Sequence, residues 1–404
     1  MRRRIPHLLL AVALAVALSP RPAAAAKRAL FDNFHAEQAG NADWVIDDNQ
    51  PTPSPAQSAI VPSTPRTYWQ GAISSWGVDL VKRGFTVTTN TAAFSYGNAA
   101  NPLDLQNFDV LIVPEPNTLF GAGESAAILA FVHEGGGLVA VSDHDMSDRN
   151  NDGFDSPKIW NAFDPGHLLG VHWGSTGDLN NNIIQTSTNV NPAPSDSVTQ
   201  GPEGAVTALA FHNGTTLTLF PADNPSVRGE VWMLGLVQSS TTGLMAASAR
   251  YGSGRVFFAG DSSPIDDGSA NPGNSSIFDG WGEAGGADSV LFMNATLWAS
   301  RRDPTLAVPG SAGAALALSR PVPNPAHGTT LLRFSLPAAG VARLEVLDVT
   351  GRRVWARREA LGPGPHAWTW DGRDAAGHGV PAGLYGVRLE TPWGTRSTRL
   401  AWIR

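Results

Sequence analysis

Apolar and polar positions follow two textures along this chain. Up to about residue 302, short apolar runs alternate with stretches of helical period. The runs at 28–31, 86–88, 110–114, 138–142 and 256–259 read as strands buried in a sheet. Residues 67–83 place Trp69, Ile73, Trp76, Leu80 and Val81 near helical spacing. That stretch ends on Lys82, Arg83 and Gly84, a basic last turn with a glycine stop, and predicts a helix. A second helix is predicted over 124–134, ending at Gly135, Gly136 and Gly137. Strands alternating with helices predict an α/β domain built on an open, mostly parallel sheet.

Beyond residue 320 the period changes. TTLLRFSL, ARLEVLDV, RRVWARR, HAWTWDG, GLYGVRLET and TRSTRLAWIR alternate with period two between turn residues, which predicts a small all-β sandwich over 321–404. Residues 303–320, rich in Ala and Gly with Pro304 and Pro309, show neither period and read as a linker, leaving 27–302 as the α/β domain. Residues 1–26 read as an export signal: Arg2, Arg3 and Arg4, an apolar run over 8–18, then Ala23 to Ala26. No later stretch is long and apolar enough to span a bilayer, so the mature chain is expected without a transmembrane segment, secreted or attached to the outer cell surface.

Composition narrows the chemistry. Charged residues make up only 16% of the chain, the formal charge is -7, and no basic run follows Arg4, which argues against a nucleic-acid partner. The chain has no cysteine, so disulfides, thiolate metal sites and a cysteine nucleophile are excluded.

Ligands of open α/β sheets bind beyond the carboxyl ends of the strands. Asp32, Asn33, His35 and Glu37 follow the first strand there, Glu115 and Asn117 a middle one, Asp143, His144 and Asp145 the next, and Asp261, Asp266 and Asp267 the last. Carboxylates and imidazoles on one rim would suit calcium or another divalent metal, with Asp32, Glu115 and Asp261 as ligands. Asp143, His144 and His35 are the candidate catalytic residues. Asp143 otherwise caps the next turn, and His35 is otherwise a solvated loop histidine. Asp148, Asn150, Asp152 and Gly153 match positions one, three, five and six of a calcium loop, but Ile159 stands at position twelve. The alternative there is an Asx-rich turn. Ser142 lacks a nucleophile elbow, and Asp371 and Asp374 read as turn residues.

Two resemblances follow from quoted segments. PVPNPAHGTTLLRFSLPAAGVARLEVLDVTGRRVW and GPHAWTWDGRDAAGHGVPAGLYGVRLET closely resemble the immunoglobulin-like module related to the flagellar hook-capping protein FlgD. Similar modules are used as sorting tails of the type IX secretion kind, so the resemblance implies export machinery as a partner. NFDVLIVPEPNTLFGAGESAAILAFVHEGGGLVAVSDHD resembles class I glutamine amidotransferase-like domains, a flavodoxin-like superfamily that includes ThuA-like proteins. Glutamine hydrolysis in that superfamily requires a cysteine, which this chain lacks. Two functions stay open: a non-catalytic binding or scaffold protein with a polysaccharide or other surface ligand, and a metal-dependent extracellular hydrolase acting on a glycan or ester.

Overall fold

The computed structural model describes residues 26–36, 38–39, 42–43, 45–49, 52–146, 148–174, 183–269, 278–301, 316–336, 340–362 and 364–403. The export signal up to residue 25, Glu37 and most of the linker lie outside the described residues. No described helix is long and apolar enough to cross a membrane.

In chain order the principal elements of the α/β region are β1 (Lys27–Asp32), α1 (Ser74–Lys82), β2 (Phe85–Asn90), β3 (Val110–Val113), α2 (Ala122–His133), β4 (Gly137–Val141), α3 (Ser156–Phe163), β5 (Val171–Trp173), β6 (Ile183–Ser187), β7 (Leu209–Gly214), β8 (Leu217–Leu219), β9 (Arg228–Trp232), β10 (Thr242–Tyr251), β11 (Gly254–Ala259) and α4 (Asp288–Ala299). One sheet joins nine strands in the order β2-β1-β3-β4-β11-β10-β8-β5, with β9 paired to β10. The first five run parallel, in the flavodoxin-like order expected of the α/β domain. β10, β8, β5 and β9 extend the sheet antiparallel.

Strand residues alternate between two apolar layers. Ala29, Phe31, Val110, Ile112, Val139, Val141, Phe257 and Ala259 pack on one face with Trp76, Val78 and Leu80 of α1 and Leu291 and Phe292 of α4. Leu30, Leu111, Val113, Leu138, Ala140, Val256 and Phe258 pack on the other with Ile128 and Phe131 of α2 and Ile159 and Trp160 of α3. Both faces of the sheet are thus covered, which explains why its strands read as continuous apolar runs. Trp281, in a glycine-rich segment, is buried with its ring stacked on Trp76 and is a core residue.

The helix expected over 67–83 requires correction. Only residues 74–82 are α-helical; residues 66–68 form a 3-10 turn, and Ala72 takes a φ of 67°. The reason is tertiary: Val45 N–H donates to Gly71 O and Asp48 N–H to Gln70 O, while Gly71 and Ala72 both donate to Ser269 O. Backbone pairing on two sides overrides the helical spacing of Trp69 and Ile73.

The C-terminal module comprises β12 (Ala317–Leu318), β13 (Thr330–Leu336), β14 (Gly340–Leu347), β15 (Arg353–Leu361), β16 (Gly364–Trp370), β17 (Gly383–Thr391) and β18 (Gly394–Trp402). A three-stranded sheet, β12-β13-β16, and a four-stranded one, β15-β14-β17-β18, are both antiparallel and enclose a separate core around Leu332, Leu344, Trp370 and Val387. Tyr385 O–H donates to Pro381 O at 2.6 Å, a tyrosine corner of the kind found in immunoglobulin-like sandwiches. Asp371 and Asp374 accept from the N–H groups of Arg373, Ala376 and His378, in ordinary turn geometry.

Candidate functional site

The carboxyl ends of β1, β3, β4 and β11 lie side by side, and the loops leaving them bring three polar groups to this edge. Their roles differ.

The first group is carboxylic. Glu115, between Pro114 and Pro116 just beyond β3, has a φ of 35°, a left-handed conformation that costs a non-glycine residue roughly 1 kcal/mol and is concentrated at functional sites. Its N–H bonds Val141 O at 3.2 Å, holding the strained residue against the end of β4. The side chain is fully buried and neither carboxyl oxygen has a hydrogen-bond partner of good geometry, although Ser262 and Asp143 lie close. Burial, with the charges of Asp155 and Asp261 added, pushes Glu115 up to about 8.

Asp143 follows β4. Its N–H donates to Ser156 Oγ at 2.9 Å, its Oδ2 lies 3.2 Å from His144 Nδ1, and its Oδ1 has no partner. Burial, then the charges of Glu115 and Asp261, raise its pKa well above the carboxylate range. Asp261 follows β11 and accepts from His212 N–H at 2.6 Å and Ser263 N–H at 2.9 Å; these bonds temper the effect of burial, leaving it at about 6. Asp155 completes the group as the N-cap of α3, accepting from Ser156 N–H at 2.8 Å.

The second group is an acid–imidazole–acid chain. His35 Nδ1 lies 2.9 Å from Asp32 Oδ2 and His35 Nε2 lies 3.0 Å from Glu124 Oε1. Asn90 Nδ2 donates to the other Asp32 oxygen at 2.9 Å. The imidazole stacks on Phe94 and meets Phe34 and Phe120 edge-on. Burial alone would depress its pKa, but the bond and charge of Asp32 and the charge of Glu124 outweigh it, and the pKa is raised.

The third group is the loop after β4. Asp148 accepts from the N–H groups of Asp152 and Gly153, Asn150 accepts from Asp152 N–H, and Asp152 accepts from Phe154 N–H. Its polar side chains are thus engaged by the loop's own backbone. Asn150 Nδ2 donates to Asn117 O at 2.6 Å, and Asn117 N–H donates to His35 O at 2.7 Å, so this loop is tied to the other two.

Of the residues singled out in the sequence, Glu115, Asp143 and Asp261 come together. Asp32 and His35 belong to the neighbouring chain, His144 lies at the margin of the carboxyl group, and Asp148, Asn150 and Asp152 stand in their own turn. Among the described residues no group of three or more His, Asp or Glu side chains is arranged to hold a metal ion. Neither Asp155 nor Glu124 is among the catalytic or metal-ligand candidates drawn from the sequence; Asp155-Ser156-Pro157 is a helix-start signal that marks the former. A cavity of about 400 Å³ opens elsewhere, beside Arg228 and Trp232 on the antiparallel extension. Arg228 there is already paired with Asp196 and Glu230, so the rim, with its unpartnered buried carboxyls, is the stronger candidate.

Residues 324–393 match the FlgD Ig-like domain family. The C-terminal module is therefore an FlgD-like immunoglobulin fold, as its sequence segments implied. Among solved structures, FlgD from Xanthomonas campestris is 29% identical over 21% of this chain and 64% of its own, with a TM-score of 0.17. PorZ of Porphyromonas gingivalis, described as an essential bacterial surface component of the type-IX secretion system, is 24% identical over 22% of this chain but only 11% of its own length, with a TM-score of 0.16. A ThuA-like protein from Parabacteroides merdae is 12% identical over 68% of this chain and 90% of its own, with a TM-score of 0.33. No curated protein matches the chain.

Proposed function

We propose that this is an exported, cell-surface binding protein. The FlgD-like module serves as its sorting tail, and the α/β domain presents a ligand, such as a polysaccharide, at its carboxyl rim without catalysis. The observation that carries this reading is the FlgD Ig-like match over residues 324–393. The pairing of His35 with Asp32 and Glu124, apart from the Glu115, Asp143 and Asp261 group, supports the non-catalytic part. The test is protease accessibility on intact bacteria that possess a type IX apparatus. The full chain should be digested at the surface, while a chain ending at residue 320 should stay protected. Equal digestion of both would overturn the role of the module.

A second reading, a metal-dependent hydrolase, is favoured by one observation. Glu115 at about 8 and Asp261 at about 6 are neighbouring carboxyls of separated proton affinity, the arrangement that lets one act as acid and the other as base. Calorimetric titration with calcium, zinc and magnesium, beside an Asp143→Asn variant, tests it. Saturable binding lost in the variant supports the hydrolase; no heat with any ion removes its metal.

A further inference from the structure

Charge is divided unevenly between the two parts of the chain. Residues 27–302 carry 12 Lys and Arg against 28 Asp and Glu, a formal charge of -16, whereas residues 321–404 carry 11 Arg, no Lys and 6 Asp and Glu, a charge of +5. The positive excess is concentrated on one surface. In the four-stranded sheet Ala342, Leu344 and Val346 of β14 point into the core, so Arg343, Glu345 and Leu347 point outward. The pairing places Arg358 and Glu390 beside Arg343, Arg388 beside Glu345, and Arg353 beside Leu347. Arg399 continues the last row through Gly386.

Five arginines therefore share an outer face with two glutamates. Glu345 Oε1 lies 2.7 Å from Arg343 Nη2 and 3.2 Å from Arg353 Nη1, and its Oε2 lies 2.7 Å from Arg388 Nη2. It is only 2% exposed because these guanidiniums cover it. One carboxylate cannot neutralise three guanidiniums, and Glu390 adds one more charge, shared by Arg343 and Arg388. Arg358 and Arg399 are exposed and stand outside these pairs. The face retains a net charge of about +3 over a patch roughly 14 Å on a side, from strand spacing and rise.

We infer that this arginine face docks an anionic polysaccharide. Its planar, always-charged forks suit carboxylate, sulfate or phosphate groups repeated along a polymer. The buried glutamate holds three of them in fixed positions, which lowers the ordering cost of binding. This extends the surface reading above, but the binding experiment uses purified protein and does not depend on export, so the two can fail separately.

The experiment is retention of the full-length mature chain on heparin and on dextran sulfate, with neutral dextran as control, across a salt gradient. Arg358→Ala/Arg399→Ala leaves the Glu345 cluster intact and should fold normally. It should weaken binding about tenfold and flatten the dependence on salt, since fewer counterions are released. Arg320→Ala/Arg373→Ala removes the same charge outside the face and should change retention little. Equal loss in both double variants would mean net charge alone binds the polymer and would overturn the site. Absence of retention would overturn it as well, as would binding to vesicles containing anionic lipid in place of the polysaccharide, or charge-dependent self-association through the acidic domain.

Discussion

His35 Nδ1 lies 2.9 Å from Asp32 Oδ2, three residues earlier in the chain, with both side chains 1% exposed. Glu124, at the start of α2, closes the other side of the ring. A raised imidazole pKa means the folded state holds the proton more tightly than the unfolded chain. The stabilisation is complete below the ordinary histidine value of about 6.5 and is lost as pH rises through the folded value. His35→Gln should therefore cost about 2–4 kcal/mol at pH 6, and progressively less towards pH 9. Paired thermal melts across that range check this; a pH-independent difference would contradict the charged imidazole.

Glu115 works in the same direction, through a carboxyl that must ionise while buried. Its proton affinity is raised from the ordinary carboxylate range to about 8, so stability should fall as pH climbs from about 4.5 to 8 and level off beyond. Glu115→Gln removes the ionisation and should make the protein more stable than wild type at pH 9, by about 2 kcal/mol or more, with little difference at pH 4. Denaturant midpoints at the two pH values decide the matter.

Gly71 marks the place where the expected helix fails to extend. A Cβ there would sit 2.2 Å from Val45 O and 2.7 Å from Asp47 N, both backbone atoms that cannot swing aside. Gly71→Ala should destabilise the α/β domain by more than about 2 kcal/mol, while Gly123→Ala, whose added Cβ meets nothing within 4 Å, should be neutral or slightly stabilising. Chemical denaturation of the two variants is the comparison.

The tyrosine corner gives the module its own test. Tyr385→Phe leaves the ring in the core and removes only the bond to Pro381 O, so it should lower the module's stability by about 1 kcal/mol. A melt that follows the module's tryptophans would register a fall of a few degrees.

The parallel half of the sheet was legible because its strands are buried on both faces: 110–114 and 256–259 are apolar wherever they turn. The antiparallel half was not. β10 draws its buried stretch from Leu244, Met245 and a series of small residues, and no alternation separates it from a loop. α4 is buried around most of its circumference, so Leu291, Phe292, Asn294 and Thr296 form no amphipathic stripe. At the rim, acidic residues placed just after strands led to Glu115, Asp143 and Asp261. The separation of Asp32 and His35 from these three depends on Asn90 and Glu124, which approach from other elements and carry no local signal of doing so. The backbone strain at Glu115 is likewise written in no residue type.

The bonds from Asn150 to Asn117, and from Asn117 to His35, give the rim a mechanical character. Surface loops ordinarily accept insertions because nothing downstream depends on their position. Here the loop at 148–153 is bonded to the segment that begins with strained Glu115, and that segment is bonded to His35, three residues beyond β1. Lengthening one loop would shift all three, so sequence change at this edge has to be concerted.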